Sequence, residues 1–286
     1  MLTKPRLSLL VIITAAGGWW VAPVYSNWKT GILCVLGTTL TVWSANVFNN
    51  YLERDSDIFM ARTKTRPLPS QRMQPIHALL FGIVLCLISI PMLTLLVNPL
   101  CGLLGGIALI SYVLIYTPLK RISSFNTIIG AIPGALPPLM GWVAATNEID
   151  IGGLTLFAIL FLWQIPHFLA ISIYRDREYE GAGLVVLPNV RGLAVTRQQM
   201  LLYTTFLLPF PFFLSILKVT GILTAIVGSI LGLWWLYLAF IGLTKGLGNK
   251  WARKFFFASL IYLMGLFAVI FLDVLLYDYL ELAIYL

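Results

Sequence analysis

Four oxygen-bearing side chains, Asn46, Asn50, Glu53 and Asp57, recur every three or four residues in the stretch NVFNNYLERDSDIFMARTKTRPLP at 46–69. At about 100° per residue they fall within about 60° of one another on a helix, while Arg54 and Asp55 point elsewhere. Carboxylate and amide oxygens so arranged suit Mg²⁺, which takes one or two carboxylates and completes its shell with substrate phosphate oxygens. A second acidic segment repeats the theme more loosely: Asp176 and Glu180 are four apart, with Glu178 between them on a different face. Bases stand beside both. Arg62, Lys64 and Arg66 follow the first segment, Arg175 and Arg177 border the second, and Lys120 and Arg121 end another apolar run. Acids that hold a metal, beside Arg and Lys that grip phosphate oxygens, make a diphosphate site. The competing reading is a pair of solvated loops, and the helical spacing weighs against it for the first segment.

Both segments need elements that bring them together, and the composition says what these are. The 286 residues are 59% hydrophobic with mean hydropathy +0.92, above the roughly 45–50% apolar of soluble domains. Apolar runs lie at about 8–25, 30–48, 76–97, 100–118, 125–146, 151–173, 200–217, 220–243 and 255–277. Each is close to the roughly 20 residues a helix needs to cross a bilayer. They predict an all-α, polytopic integral membrane protein of nine transmembrane helices, organised as one domain over 1–286. Lipid offers backbone groups no partners, which favours helices, and the short alternating segments of a β-barrel are missing from the sequence.

Of the 19 Lys and Arg, all but Lys29 and Lys218 fall in one alternate set of loops, beginning with Lys4 and Arg6. The positive-inside rule makes that set cytoplasmic and puts the acidic end DYLELAIYL outside. The net charge of +8 is then topological, and no basic tail suggests nucleic acid. Cys34, Cys86 and Cys101 fall within spans and read as small apolar residues. The opening MLTKPRLSLLVIITAAGGWW lacks a clean small-residue cleavage site and is read as the first span. Nor is it Arg- and Ser-rich like a transit peptide, which favours a bacterial cell (inner) membrane.

The stretch NNYLERDSDIFMARTKTRPLP resembles the first aspartate-rich motif, N-D-x-x-D-x-x-x-D, of the UbiA superfamily of intramembrane prenyltransferases. Within it, the stretch is similar to the heme O synthase branch, whose version reads N-N-Y-x-D-R-D-x-D followed by M-x-R-T-x-x-R. Four more stretches fit that branch in order: YTPLKR at 116–121, NTIIGAIPGALPPLMGW at 126–142, LWQIPHF at 162–168 and VLPNVRG at 186–192. Outside 46–192 the likeness is one of hydropathy. Asn49, Asn50, Glu53 and Asp57 occupy the four motif places. Asn50 stands where the wider superfamily has Asp, and Glu53 replaces an Asp with a longer reach. In the second motif Glu178 aligns with an Asp expected before the Tyr, and Asp176 falls where an acid is often missing, so the metal-binding pair there stays open.

The resemblance implies a UbiA-type bundle with a central cavity, Mg²⁺ as cofactor, and farnesyl diphosphate and heme b as substrates. It makes Asn50, Glu53, Asp57, Asp176, Glu178 and Glu180 candidates for the metal. For the diphosphate it offers Asn49, Arg62, Lys64, Arg66, Lys120, Arg121 and Arg175, with Asp57, Glu53, Lys120 and Tyr116 as the catalytic set. Charge drawn off the diphosphate would ionise the C1–O bond, a heme vinyl group would attack the allylic cation, and water would complete the substituent. An apolar cavity would shield the cation, with Tyr112 and Tyr116 either facing it or anchoring at the interface. His167 would either place heme as an iron ligand or make a polar contact between helices. His77, beside Pro75, reads as interfacial. The Gly- and Pro-rich run at 130–142 would loosen the fifth helix and let neighbours approach.

The implied setting is the lipid bilayer, with a heme A synthase or terminal-oxidase assembly proteins as recipients of the product. Two other functions compete: a related enzyme prenylating an aromatic quinone precursor, and an ion-coupled transporter. Asn50, YTPLKR and LWQIPHF weigh against the first. The acids' clustering at one membrane face weighs against the second, whose sites belong near the midplane.

Overall fold

Four of the long helices carry proline in their first turn, where its fixed φ suits the helix and its missing N–H would have had no partner. The computed structural model describes residues 2–24 and 27–285, with side chains at all of these except 6, 7 and 277–285. The four helices are α1 (Pro5–Trp20), α3 (Pro75–Val97), α4 (Pro99–Leu119) and α8 (Leu187–Ile216). The others are α2 (Trp28–Leu52), α5 (Asn126–Thr146), α6 (Ile151–Tyr174), α9 (Ile222–Thr244) and α10 (Asn249–Tyr285). A six-residue helix, α7 (Asp176–Gly181), joins α6 to α8. Among the described residues there is no strand.

Eight of these helices are long and apolar enough to cross a membrane, and α1 adds a shorter apolar stretch, Ser8–Trp20. The chain is therefore an all-α, multi-pass membrane protein. Helices α5 and α6 form the centre, with 67% of each apolar window buried against 22% for α3 on the outside. Helices α1, α2 and α4 pack on α5, α8 and α10 pack on α6, and α9 lies against α8 and α10. At the centre the α1 and α5 backbones touch: a Cβ built on Gly141 would fall 1.9 Å from the Ala15 carbonyl oxygen. Small residues let membrane helices approach this closely. Three prolines, at 133, 137 and 138, sit inside α5.

At several helix starts a side chain takes up an N–H that the helix itself leaves bare. Asn98 accepts from Cys101 N at 2.8 Å and Asp150 from Gly153 N at 3.0 Å. Helix α9 starts at a glycine and borrows its cap from α10, where buried Asp273 accepts from Thr224 N at 2.7 Å.

Several expected boundaries move. Helix α1 ends at Trp20 instead of 25, and α8 begins at Leu187 instead of 200, bending at Gly192, whose φ is 79°. Arg191 and Arg197 are therefore helical. Arg197 is buried and donates to the carbonyls of Gly246 and Leu247 at 3.0 and 2.8 Å. Finally, α2 stops at Leu52 instead of running on to Asp57. Glu53 caps it, and Asp57 opens a separate 3₁₀ turn, Asp57–Phe59, folded back so that its N–H meets the Glu53 carbonyl at 2.8 Å. Helix α10 also runs on to Tyr285, past the expected end at 277, so that most of the segment expected to follow the last span is helical; Leu286 lies outside the described residues.

Candidate active site

One end of the bundle gathers the N-terminal segment, the 53–74 loop after α2, the turn after α4 and the loop around α7. Hydrogen bonds stitch them together: Val185 N donates to the Lys120 carbonyl at 2.8 Å, and Asn126 Nδ2 to the Val185 carbonyl at 2.7 Å. Behind this basic end a cavity of about 430 Å³ runs inward between α1, α2, α4, α5 and α6. Its outer part is polar and its inner walls are largely apolar and aromatic.

The polar part is built from opposed charges held out of water. Lys120 Nζ lies 2.7 Å from Glu53 Oε1, and Arg66 Nη1 lies 2.5 Å from Asp57 Oδ2. Lys4 Nζ reaches Asn49 Oδ1 at 2.6 Å, and Asn49 Nδ2 donates to Thr117 Oγ1 at 3.3 Å. Burial, with Arg66 nearby, pulls the Lys4 ammonium down to about 7. Burial pushes the Glu53 carboxyl up, but Lys120 and then Lys4 outweigh it, so the net shift is downward. Lys120 moves the other way: burial opposes its charge, while Tyr116 and Glu53 together carry the group above the usual lysine range. Asp57 is fully buried, and its second oxygen, Oδ1, has no hydrogen-bond partner within the protein.

Just inside this cluster, Tyr112 and Tyr116 pair with ring centroids 5.2 Å apart, and Lys120 Nζ sits 4.3 Å above the Tyr116 ring. Both tyrosines line the cavity, which decides against a purely interfacial role. They lie on a wider, π-helical turn, Ser111–Tyr116, and such turns recur at functional sites. Gly130 makes room for Tyr116, since a Cβ there would come within 2.5 Å of the ring.

Deeper in, His167 lies seven residues from the end of α6, roughly 10 Å along the axis. It is buried, lines the cavity, and stacks on Trp163 with centroids 4.5 Å apart. Its Nδ1 is 2.7 Å from the Ser259 hydroxyl on α10.

Residues 10–261 match the model of the UbiA prenyltransferase family. The chain belongs to that family. It is 51% identical over 272 residues to the protoheme IX farnesyltransferase of Myxococcus xanthus (strain DK1622), covering 95% of this chain and 92% of that protein. To the protein of the same name from Anaeromyxobacter dehalogenans (strain 2CP-C) it is 46% identical over 273 residues, covering 96% and 92%. Solved structures share the fold at low identity. One, from work on digeranylgeranylglyceryl phosphate synthase, superposes with TM-score 0.82 at 16% identity, covering 95% of each chain. A UbiA homologue from Archaeoglobus fulgidus bound to GPP and Mg²⁺ gives TM-score 0.71 at 17% identity, covering 94% of this chain and 98% of that one. This chain is thus an intramembrane transferase of the UbiA prenyltransferase family.

Of the UbiA-motif positions, the structure brings Asn49, Glu53, Asp57, Arg62, Arg66, Tyr116, Lys120 and His167 to the cavity wall. Asn50 is not there. It turns toward the N-terminal segment, donating to the Leu2 carbonyl at 2.8 Å and to the Asn46 carbonyl at 2.9 Å. The single stripe expected on α2 is corrected at one place and in its shape: Asn46 and Glu53 line the cavity as expected, Asn49 does so where Asn50 does not, and, with the helix ending at Leu52, Asp57 joins them from the turn. Lys64 and Arg121 are exposed and stand off the cavity.

The second acidic segment also stays outside. Asp176 accepts from the Arg177 N–H at 2.7 Å, Glu178 pairs with Arg175 at 2.9 Å, and Glu180 is exposed. Among the described residues no three His, Cys, Asp or Glu side chains group closely enough to hold a metal. What α7 sends to the cavity is Tyr179, whose hydroxyl is pushed upward in pKa by burial. Lys4 is a polar cavity residue outside the motifs, and Tyr179 and Gln164 reach the cavity from within the second acidic segment and LWQIPHF although neither is among the expected site residues. Lys4 did leave a signal. It stands at the N-terminus of α1, where the helix dipole disfavours a cation, but the positive-inside pattern already accounts for a base there, so the signal was faint.

Proposed function

We propose that this UbiA-family enzyme transfers the farnesyl group of farnesyl diphosphate to a vinyl group of heme b, adding water to give heme O and releasing diphosphate. The observation that carries the reading is the join of two unlike environments in one cavity. A buried cluster of Lys4, Arg66 and Lys120 with Asn49, Glu53 and Asp57 opens into a wall of Tyr112, Tyr116, Trp163 and His167. A diphosphate with a long apolar tail matches the first and its mouth, and a flat macrocycle suits the second. The relatives' shared name, at 46–51% identity over nearly the whole chain, supports the heme acceptor.

The donor set suits Mg²⁺: Asp57 Oδ1 is a buried carboxylate oxygen with no protein partner, and Glu53 and Asn49 bring further oxygens to the same cavity wall. When bound, that ion would supply Lewis-acid neutralisation of the diphosphate charge. The chain's own groups do the rest. Lys120, Arg66 and Arg62 bind the diphosphate oxygens and take up the charge that develops as the C1–O bond breaks, while Lys4 holds the diphosphate equally before and during the reaction. The faces of Tyr116 and Tyr112, next to Lys120, border the allylic carbon and favour its positive charge. The apolar walls keep water away until the vinyl carbon has bonded to C1. His167 holds the macrocycle deeper in the cavity, so that a vinyl edge points toward the polar end.

Residues 1–286 act as one catalytic unit in a bacterial inner membrane, with the basic end cytoplasmic and the product passed to a heme A synthase or oxidase assembly protein. The test is direct. Purified protein in nanodiscs with heme b, farnesyl diphosphate and Mg²⁺ should yield a heme heavier by one farnesyl group and one hydroxyl, read by mass spectrometry. A prenylated quinone precursor formed while heme stays unmodified would overturn the reading.

A further inference from the structure

Ser259 meets α6 at two points. Its carbonyl oxygen accepts from Trp163 Nε1 at 2.8 Å, and its hydroxyl lies 2.7 Å from His167 Nδ1. The same hydroxyl is 2.6 Å from the carbonyl oxygen of Phe256. A carbonyl can only accept, so the one Ser259 proton goes to Phe256 and a lone pair is what remains for His167. Nδ1 must therefore carry the imidazole proton, which leaves Nε2 with the free lone pair. Trp163 and Phe256, with centroids 4.5 and 4.7 Å from the imidazole, hold the ring's position. With Nδ1 tied to α10, Nε2 is the nitrogen left for the cavity that His167 lines.

We propose that Ser259 is a positioning residue for the heme substrate: it fixes His167 in the Nδ1–H tautomer, so that Nε2 presents its lone pair to the heme iron. The inference rests on the reading of His167 as the group that holds the macrocycle, and it adds what makes that side chain competent. The other tautomer, with the proton on Nε2, has no lone pair to give the metal. A hydrogen bond at the far ring nitrogen also orients a ligating imidazole and raises its basicity, and losing such a partner typically costs about 10–100-fold in affinity. Trp163, held by the same Ser259, stops the ring from turning over.

The experiment titrates the purified full-length protein with ferric heme b, following absorbance and electron paramagnetic resonance, and needs no turnover. Wild type should show an axial imidazole that His167→Ala loses and added free imidazole restores. Ser259→Ala should weaken heme binding about tenfold and alter the imidazole signature, while farnesyl diphosphate affinity and melting temperature stay close to wild type. In the double variant the Ser259 effect should vanish, because a residue acting through His167 has nothing left to act on. A wild type without an imidazole signature, or a His167→Ala variant that keeps it, overturns the reading of His167 and this inference with it. A signature lost in His167→Ala but unchanged in Ser259→Ala, with affinity within twofold, overturns the role of Ser259 alone. A Ser259 effect of full size in the His167→Ala background marks the serine as general packing and overturns it as well.

Discussion

Asp57 uses its two oxygens differently: Oδ2 takes Arg66 at 2.5 Å, and Oδ1 is buried without a protein partner. An orphaned buried oxygen is costly, and this one belongs to a residue that lines the cavity, where a bound cation would satisfy it. Asp57→Asn preserves shape and removes charge. It should lower kcat about 10²–10³-fold, while circular dichroism shows the helices intact; an unchanged kcat would take Asp57 out of the chemistry. Lys4 calls for a different outcome, because it meets the diphosphate end from the N-terminal segment, where it serves ground state and transition state alike. Lys4→Met should raise KM for farnesyl diphosphate about tenfold, as for the loss of one charge-assisted hydrogen bond, with kcat and heme affinity retained. A fall in kcat at constant KM would move Lys4 from binding into catalysis.

At the level of helices, the contact of α1 with α5 places Lys4 beside Asn49 and so completes the site. Gly141 is where that contact has no slack: its Cβ would fall 1.9 Å from one backbone oxygen and 2.7 Å from the Trp19 N atom, neither of which can swing aside. Gly141→Ala should destabilise the protein by about 1–3 kcal/mol in thermal unfolding in detergent. Gly106→Ala in α4, with nothing within 4 Å, should be neutral or gain up to about 1 kcal/mol of helix propensity. Equal shifts in the two variants would disprove the close approach. Hydropathy made the helices legible because lipid enforces them, and it failed where tertiary contacts take over. The stretch 187–199 holds Pro188, Gly192 and two arginines and reads as loop, yet it folds as helix with Arg197 anchored on the 246–247 carbonyls. Asn49 and Asn50 look equivalent in sequence. What separates them is the Leu2 carbonyl, 48 residues away, which claims Asn50. The motif residues of the first loop were legible, whereas Ser259, with nothing around it in sequence to mark it, was not.

For the molecule as a whole, the separation of charge decides where chemistry can happen. Every described cluster that could hold a diphosphate lies at the basic end, and among the described residues Lys29 and Lys218 at the opposite end make no ion pair. The proposed positive-inside orientation would put the basic end in the cytoplasm, where charged, membrane-impermeant farnesyl diphosphate would have to arrive. Orientation and substrate access are therefore one claim, and labelling tests it. In a variant lacking Cys34, Cys86 and Cys101, single cysteines would replace Lys29 and Lys64, both exposed side chains at opposite ends of the bundle. A membrane-impermeant maleimide added to intact spheroplasts should label Lys29→Cys at once and leave Lys64→Cys untouched until the membrane is permeabilised. The reverse order would put the diphosphate site on the outer face, where no cytoplasmic pool could feed it, and would overturn the orientation together with the route of the prenyl donor.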